Sequence, residues 1–263
     1  MRKSYFKKYS AKELKKILSK GKFEDFEVLS TLEKVLKKKK KKLFKLPSPG
    51  SSVILLVSGG LDSIVTWDIL LRKHKLKVFP LFLNKGEKRK SQEENAVSFF
   101  SQYFQEKFPQ QFVLPYKHTT FIPQKEVIEE LKTPFSSLEL KNSEFPEGTT
   151  VNIFLGSPGI VPFYAMTFAR YLELKEKIKI RTIFSSVMAG DGFMCPSQSL
   201  TSLRSINLSM CTFTGDYSWQ FTSLAIETEL GHNLKKEDYV RYAKDHNLPI
   251  EHTWSCYNGK RYH

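Results

Sequence analysis

Cysteine is scarce in this chain. Three residues in 263, Cys195, Cys211 and Cys256, are too few and too irregularly spaced for a disulfide framework. No apolar segment follows the basic start as a secretory signal requires, so a reducing, cytoplasmic setting is expected. No run of about 18 apolar residues occurs, which excludes a helical membrane span. An arginine-rich transit peptide fits poorly, because the front is lysine-rich and carries Glu13, Glu24, Asp25 and Glu27. Acidic residues are thin there all the same. Residues 1–50 carry +12 of the chain's +15, which leaves a near-neutral stretch from Ser51 onward. No internal repeat is present, and with 40% hydrophobic residues the chain has enough apolar side chains for a substantial core.

The pattern divides near residue 50. Residues 11–45 carry apolar positions at helical spacing (Leu14, Ile17, Leu18, then Phe23, Phe26, Val28, Leu29, Leu32, Val35, Leu36) and close on the run Lys37 to Lys42. Leu46-Pro47-Ser48-Pro49-Gly50 cannot continue a helix. The expectation is a basic helical N-terminal extension over 1–50 and a main domain over 51–263. In the latter, strands are predicted at 53–57, 77–83, 112–114 and 181–185. Helices are predicted after Ser63 and over 92–107, 124–131, 161–174, 197–210 and 236–246, with a surface loop at 133–150. Strands alternating with helices imply an α/β fold with a parallel sheet.

The residues that carry chemistry are Ser58-Gly59-Gly60-Leu61-Asp62-Ser63, placed where the first strand ends and a helix begins. Two glycines permit a tight turn whose backbone N–H groups approach an anion, and the helix N-terminus adds its positive end. Ser58 and Ser63 offer hydroxyls. Asp62 offers a carboxylate to hold Mg²⁺ or to orient a nucleotide. The plain alternative is a glycine turn capped by serine or aspartate, but the apolar strand before it and the amphipathic helix after it favour a phosphate cradle. It is not a Walker A loop, since no Gly-Lys-Ser/Thr follows at the required spacing.

Ser-Gly-Gly-x-Asp-Ser after a first strand resembles the signature of the N-type ATP pyrophosphatases, the PP-loop proteins. These include synthetases for NAD, GMP and asparagine, RNA thiolation enzymes and the deazaguanine-nitrile enzyme of the queuosine pathway. The resemblance implies an adenine nucleotide α-hydrolase-like, Rossmann-like fold, with ATP and Mg²⁺ as cofactors. It also implies cleavage of ATP to AMP and pyrophosphate, with AMP passed to a substrate oxygen. Further segments resemble 7-cyano-7-deazaguanine synthase in order and spacing. They are Leu83 to Lys88 with Glu93 and Glu94; Ser157-Pro158-Gly159; Leu234 to Val240, where Lys236 matches the lysine facing the phosphates; and Thr253-Trp254-Ser255-Cys256-Tyr257. Carried over, Pro158, Gly159 and Asp191 are expected to bind substrate, and Lys236 pyrophosphate. The implied activity is that of an ATP-dependent ligase forming a C–N bond on a deazaguanine carboxylate.

The departures from that pattern are equally specific. The family's Arg-Asn after Pro-Gly is Ile160-Val161 here, Lys85 replaces an aromatic, and Cys195-Pro196-Ser197-Gln198-Ser199 stands where the family has Tyr-Pro-Asp-Cys-Arg. Polar substrate contacts are thus altered, which implies a changed substrate or second step. Divergent relatives occur in anti-phage defence operons, where carboxy-deazaguanine modifies a partner protein, and this sequence is similar to them. Zinc needs four close Cys/His ligands. No cysteine follows Cys256 here and only His252 and His263 remain as candidates, so an ordinary thiol at Cys256 fits better than a zinc ligand.

Several residues keep two readings. Lys236 is either a solvated helix-start lysine or a phosphate ligand, and Asp191 in Gly190-Asp191-Gly192 is either a turn residue or a contact for the substrate base. Trp67 and Trp219 read as core. The basic extension suits an acidic protein partner better than RNA, since its aromatics lie on what reads as a helical core face rather than among the lysines. An RNA-modifying PP-loop adenylase, with the lysine-rich front holding RNA phosphates, and a non-catalytic nucleotide-binding subunit are the alternatives.

Overall fold

The computed structural model describes residues 9–21, 23–84, 90–119, 160–193, 196–227 and 235–254. Two helices open the chain. α1 (Ala11–Leu18) starts at Ser10, whose hydroxyl accepts from the Glu13 amide while the Glu13 carboxylate accepts from the Ser10 amide, a reciprocal capping box. α2 (Phe26–Lys40) starts at Asp25, whose carboxylate accepts from the Glu27 and Val28 amides. The capped starts at Ser10 and Asp25 explain why one helical stretch in the sequence forms two helices.

The remaining elements are β1 (Ser52–Val57), α3 (Leu61–Arg72), β2 (Lys77–Asn84), α4 (Lys90–Lys107), β3 (Tyr116–Thr119), α5 (Ile160–Lys175), β4 (Thr182–Ser185), α6 (Leu200–Thr214), β5 (Gln220–Ser223) and α7 (Lys236–Asp245). The five strands form one wholly parallel sheet in the order β3-β2-β1-β4-β5. The unbroken apolar run of β1 conceals an alternation. Val53, Leu55 and Val57 pack with α3, α4 and α7 (Trp67, Phe100, Phe104, Tyr239), while Ile54 packs on the other face with α5 and α6 (Phe168, Leu172, Leu203, Met210). Leu14, Leu18 and Leu29 of the basic extension belong to this second cluster.

Two strand expectations change. The third strand was predicted at 112–114, yet only Phe112 bridges, to Val78, and the ladder resumes at Leu81↔Tyr116. Pro80 and Pro115 lie in the gap, and neither has an N–H to donate, so the pairing is interrupted and the strand starts later. β5 was not predicted at all. Its sequence Gln-Phe-Thr-Ser is buried but mostly polar, and its side chains are satisfied by hydrogen bonds: Gln220 to Thr182 at 2.8 Å, Thr222 to Glu227 at 2.9 Å and Ser223 to the Val187 carbonyl at 2.7 Å. Apolar periodicity does not reveal such a strand. The helix expected from Ser197 begins at Leu200, because Ser199 caps it and a short 3₁₀ turn, Pro196–Gln198, precedes it. The expected helix at 124–131 and loop at 133–150 lie outside the described residues. No helix among those described is long and apolar enough to cross a membrane.

Candidate functional site

β2 and β3 lie on one side of β1, β4 and β5 on the other. The direction of chain progression therefore reverses between β1 and β4, and in open parallel sheets such a reversal is where a ligand crevice lies, beyond the carboxyl ends of the strands. The Ser58 to Ser63 turn follows β1 at this point.

That turn is held from several directions. Gly59 has φ +74°, a conformation open to glycine, and a Cβ there would lie 2.7 Å from the Glu93 carbonyl oxygen and 2.8 Å from the Ala96 Cβ of α4. The Ser63 hydroxyl donates to the Gly60 carbonyl at 2.9 Å and accepts from the Ser58 amide at 3.3 Å, so it fastens the turn internally. Ser58 is exposed, and its Oγ accepts a long bond of 3.5 Å from the Gly60 amide. Gly60 is the N-cap of α3 with no side-chain cap, so no capping side chain covers the first-turn amides, beginning with Leu61. The Trp254 amide donates to the Gly59 carbonyl at 2.9 Å, which brings the C-terminal segment onto the turn, and His252 in that segment stacks on Phe99 of α4 at 3.8 Å.

Three residues singled out in the sequence meet beside this turn. The Lys236 ammonium, at the start of α7, lies 3.5 Å from Asp62 Oδ2. Asp62 Oδ1 is buried and has no hydrogen-bond partner among the described residues. Burial pushes the Asp62 carboxyl up from its ordinary range, and Lys236 pulls it back. Asp191 opens a 3₁₀ turn and accepts from the Met188 amide at 2.7 Å. Burial raises its carboxyl foremost, the Met188 bond lowers it, and the charges of Asp62 and Lys236 act on it in opposite senses, which places all three groups in one electrostatic neighbourhood. Pro158, Gly159 and Cys256 lie outside the described residues, as does the Lys85 to Lys88 segment. No group of three or more His, Cys, Asp or Glu side chains that could hold a metal ion occurs among the described residues.

Lys236 is carried to Asp62 by packing that the motif search did not find. The Tyr239 hydroxyl lies 3.0 Å from Thr66 Oγ1 of α3, and the Tyr242 hydroxyl donates to Asp68 at 2.5 Å. Asp68 in turn takes both bonds of the Arg72 guanidinium fork, at 2.8 and 2.9 Å. Tyr239 is fully buried, and burial holds its phenol protonated well beyond the usual range. The available signal was the spacing of Lys236, Tyr239 and Ala243 on one helical face. Ser186 was missed as well. It follows β4, and its Oγ is buried with no partner among the described residues.

The 7-cyano-7-deazaguanine synthase of Prochlorococcus marinus (strain MIT 9515) is 23% identical over 234 residues, which cover 79% of this chain and 85% of that protein. Among solved structures, the U34-tRNA thiolase NcsA from Methanococcus maripaludis superposes with a TM-score of 0.40 at 11% identity, covering 88% of this chain and 67% of its own. The NH3-dependent NAD synthetase from Campylobacter jejuni subsp. jejuni NCTC 11168 superposes with 0.29 at 17% identity, covering 84% and 83%. Both superpositions are loose, and the fold rests on the strand order above. The sequence model described as "Queuosine biosynthesis protein QueC" matches residues 52–263, from the first residue of β1 through the turn, Asp191 and Lys236, so the chain belongs to the QueC family.

Proposed function

We propose that this chain is an ATP-dependent ligase that adenylates the carboxylate of a deazaguanine and releases pyrophosphate. The observation that carries the reading is the pairing of Asp62 with Lys236 at 3.5 Å against a turn whose helix N-terminus has no side-chain cap. In the first step a carboxylate oxygen attacks the α-phosphorus of ATP, the bond to the bridging oxygen breaks, and pyrophosphate departs with the negative charge that develops on it. The α3 amides and Lys236 face that charge. In the second step an amine attacks the acyl carbon, AMP leaves, a proton is lost from nitrogen, and a C–N bond remains.

Magnesium fits the residues present. A nucleotide-bound Mg²⁺ takes only one or two protein carboxylates, and Asp62, with one buried oxygen lacking a partner among the described residues, and Asp191 would supply them. When bound it neutralises phosphate charge. Asp62 also holds Lys236 at the turn, and the Met188 amide orients Asp191.

The substitutions at Ile160-Val161 and Cys195 to Ser199 remove polar residues that the synthase pattern has, which supports a nucleophile other than ammonia. We assign that role to an amine of a partner protein, in the manner of the defence-associated relatives, with the lysine-rich surface of α1 and α2 as its docking face. The test is pyrophosphate release by the purified chain with ATP, Mg²⁺ and carboxy-deazaguanine. Release that falls at least a hundredfold in Asp62→Ala is expected. No release with any deazaguanine carboxylate refutes the reading.

A further inference from the structure

We propose that the Ser186 hydroxyl is a nucleotide-binding group that donates a hydrogen bond to a phosphoryl oxygen of ATP. This rests on the reading of the crevice as a nucleotide site. β4 pairs with β1 through Ile183↔Ile54 and Phe184↔Leu55, and the same register continued places Ser186 level with Val57, the residue just before the Ser58 to Ser63 turn. Ser186 thus stands at the carboxyl end of the neighbouring strand, across the point where the order of the sheet reverses.

The hydroxyls around it are already engaged inside the protein. The Ser185 hydroxyl donates to the Thr222 carbonyl at 3.4 Å and the Ser223 hydroxyl to the Val187 carbonyl at 2.7 Å. Ser186 Oγ is buried without a partner among the described residues, and Asp62 Oδ1, in the turn that follows β1, is in the same condition. Buried polar atoms are nearly always hydrogen-bonded, and two exceptions on neighbouring strand ends mark a place where the partner arrives with a ligand. Chemistry separates the two. A carboxylate oxygen only accepts, so Asp62 Oδ1 calls for a cation or a donor. A hydroxyl donates, and the acceptors that a nucleotide brings to a helix N-terminus such as that of α3 are anionic phosphoryl oxygens.

The experiment compares the full chain with Ser186→Ala and Ser185→Ala, using melting without ligand and calorimetric binding of α,β-methylene ATP, which cannot be cleaved between the α- and β-phosphates. Ser186→Ala should melt no lower than the parent, because no internal bond is lost, yet bind the analogue about ten- to a hundredfold more weakly, the range for a hydrogen bond to a charged group. Ser185→Ala should melt lower and bind as the parent does. Unchanged affinity in Ser186→Ala overturns the proposal while leaving the nucleotide site intact, as does a lowered melting point without ligand or a loss confined to binding of the deazaguanine carboxylate. A parent chain that fails to bind the analogue overturns the nucleotide reading and this proposal with it.

Discussion

Gly59→Ala tests the geometry of the turn, because two separate effects act there and a second glycine isolates one of them. The residue has φ +74°, and an L side chain in that conformation costs about 1–2 kcal/mol. Gly215, at the end of α6, has φ +67° with nothing within 4 Å of a Cβ, so Gly215→Ala carries the backbone penalty alone. At Gly59 the added methyl would also lie 2.7 Å from the Glu93 carbonyl oxygen and 2.8 Å from the Ala96 Cβ. Neither is the free end of a flexible side chain. Either α4 moves away or the turn does, at about 1–3 kcal/mol of overpacking. The expected loss is therefore roughly 2–5 kcal/mol for Gly59→Ala and about 1–2 for Gly215→Ala, which for a chain of this size is roughly 4–20 °C against roughly 2–8 °C in Tm. Thermal unfolding of both variants measures this directly. Pyrophosphate release should collapse in Gly59→Ala and persist in Gly215→Ala, since only the first distorts the anion-facing amides. Adding Ala96→Gly should not restore the turn, because the Glu93 carbonyl stays in place. Equal Tm losses in the two glycine variants, or full activity in Gly59→Ala, would refute the argument.

Three further outcomes follow from the packing. Arg204 is buried against Glu227 through two bonds of 2.9 and 3.1 Å, with Glu33 of α2 at 3.3 Å. Glu227→Gln should destabilise by roughly 2–4 kcal/mol in urea titration, with Glu33 limiting the damage, and a change under about 0.5 would show that the ion pair is dispensable. The Glu24 carboxylate caps α6 by accepting from the Leu200 amide at 2.5 Å and the Thr201 amide at 3.1 Å, so Glu24→Ala should cost about 1 kcal/mol, as loss of an N-cap does. Burial, with Lys73 adding to it, lowers the His74 imidazole from 6.5 to about 4. The unfolded chain then binds the proton first, so stability should fall as pH drops from 6.5 towards 4, by up to about 1.4 kcal/mol per pH unit. An unfolding profile just as steep in His74→Asn would disprove that source.

How far the residues foretold this site depended on whether the chemistry was local. The turn was legible because strand, glycines, Asp62 and helix start are contiguous, and β1, β2 and α5 because their apolar residues recur at the right period. Lys236 was placed by motif alone. What brings it to Asp62 is the pair of hydroxyl contacts from Tyr239 and Tyr242 to α3, between residues 173 and 174 positions apart, which no local pattern encodes. β5 stayed hidden for a related reason. Its polar side chains read as loop until their partners, from Lys45 to Glu227, are known.

The charge excess of the first 50 residues also changes meaning once partners are known. Of its five acidic residues, four are engaged: Glu13 and Asp25 cap their own helices, Glu24 caps α6 and Glu33 reaches Arg204. Two of those interactions join the extension to the rest of the fold. Lys40 adds a third, donating to the Trp219 carbonyl at 2.5 Å beside the edge strand β5, where the main chain of Lys45 also exchanges hydrogen bonds with the Gln220 side chain. The extension is thus tied to the start of β5 at the edge of the sheet. Lys34, Lys38, Lys39, Lys41 and Lys42 are exposed. These lysines face solvent and make this face positive. The extension therefore does two things with one composition: its acids and apolar residues bind it to the sheet, and its lysines set the charge of the surface it adds.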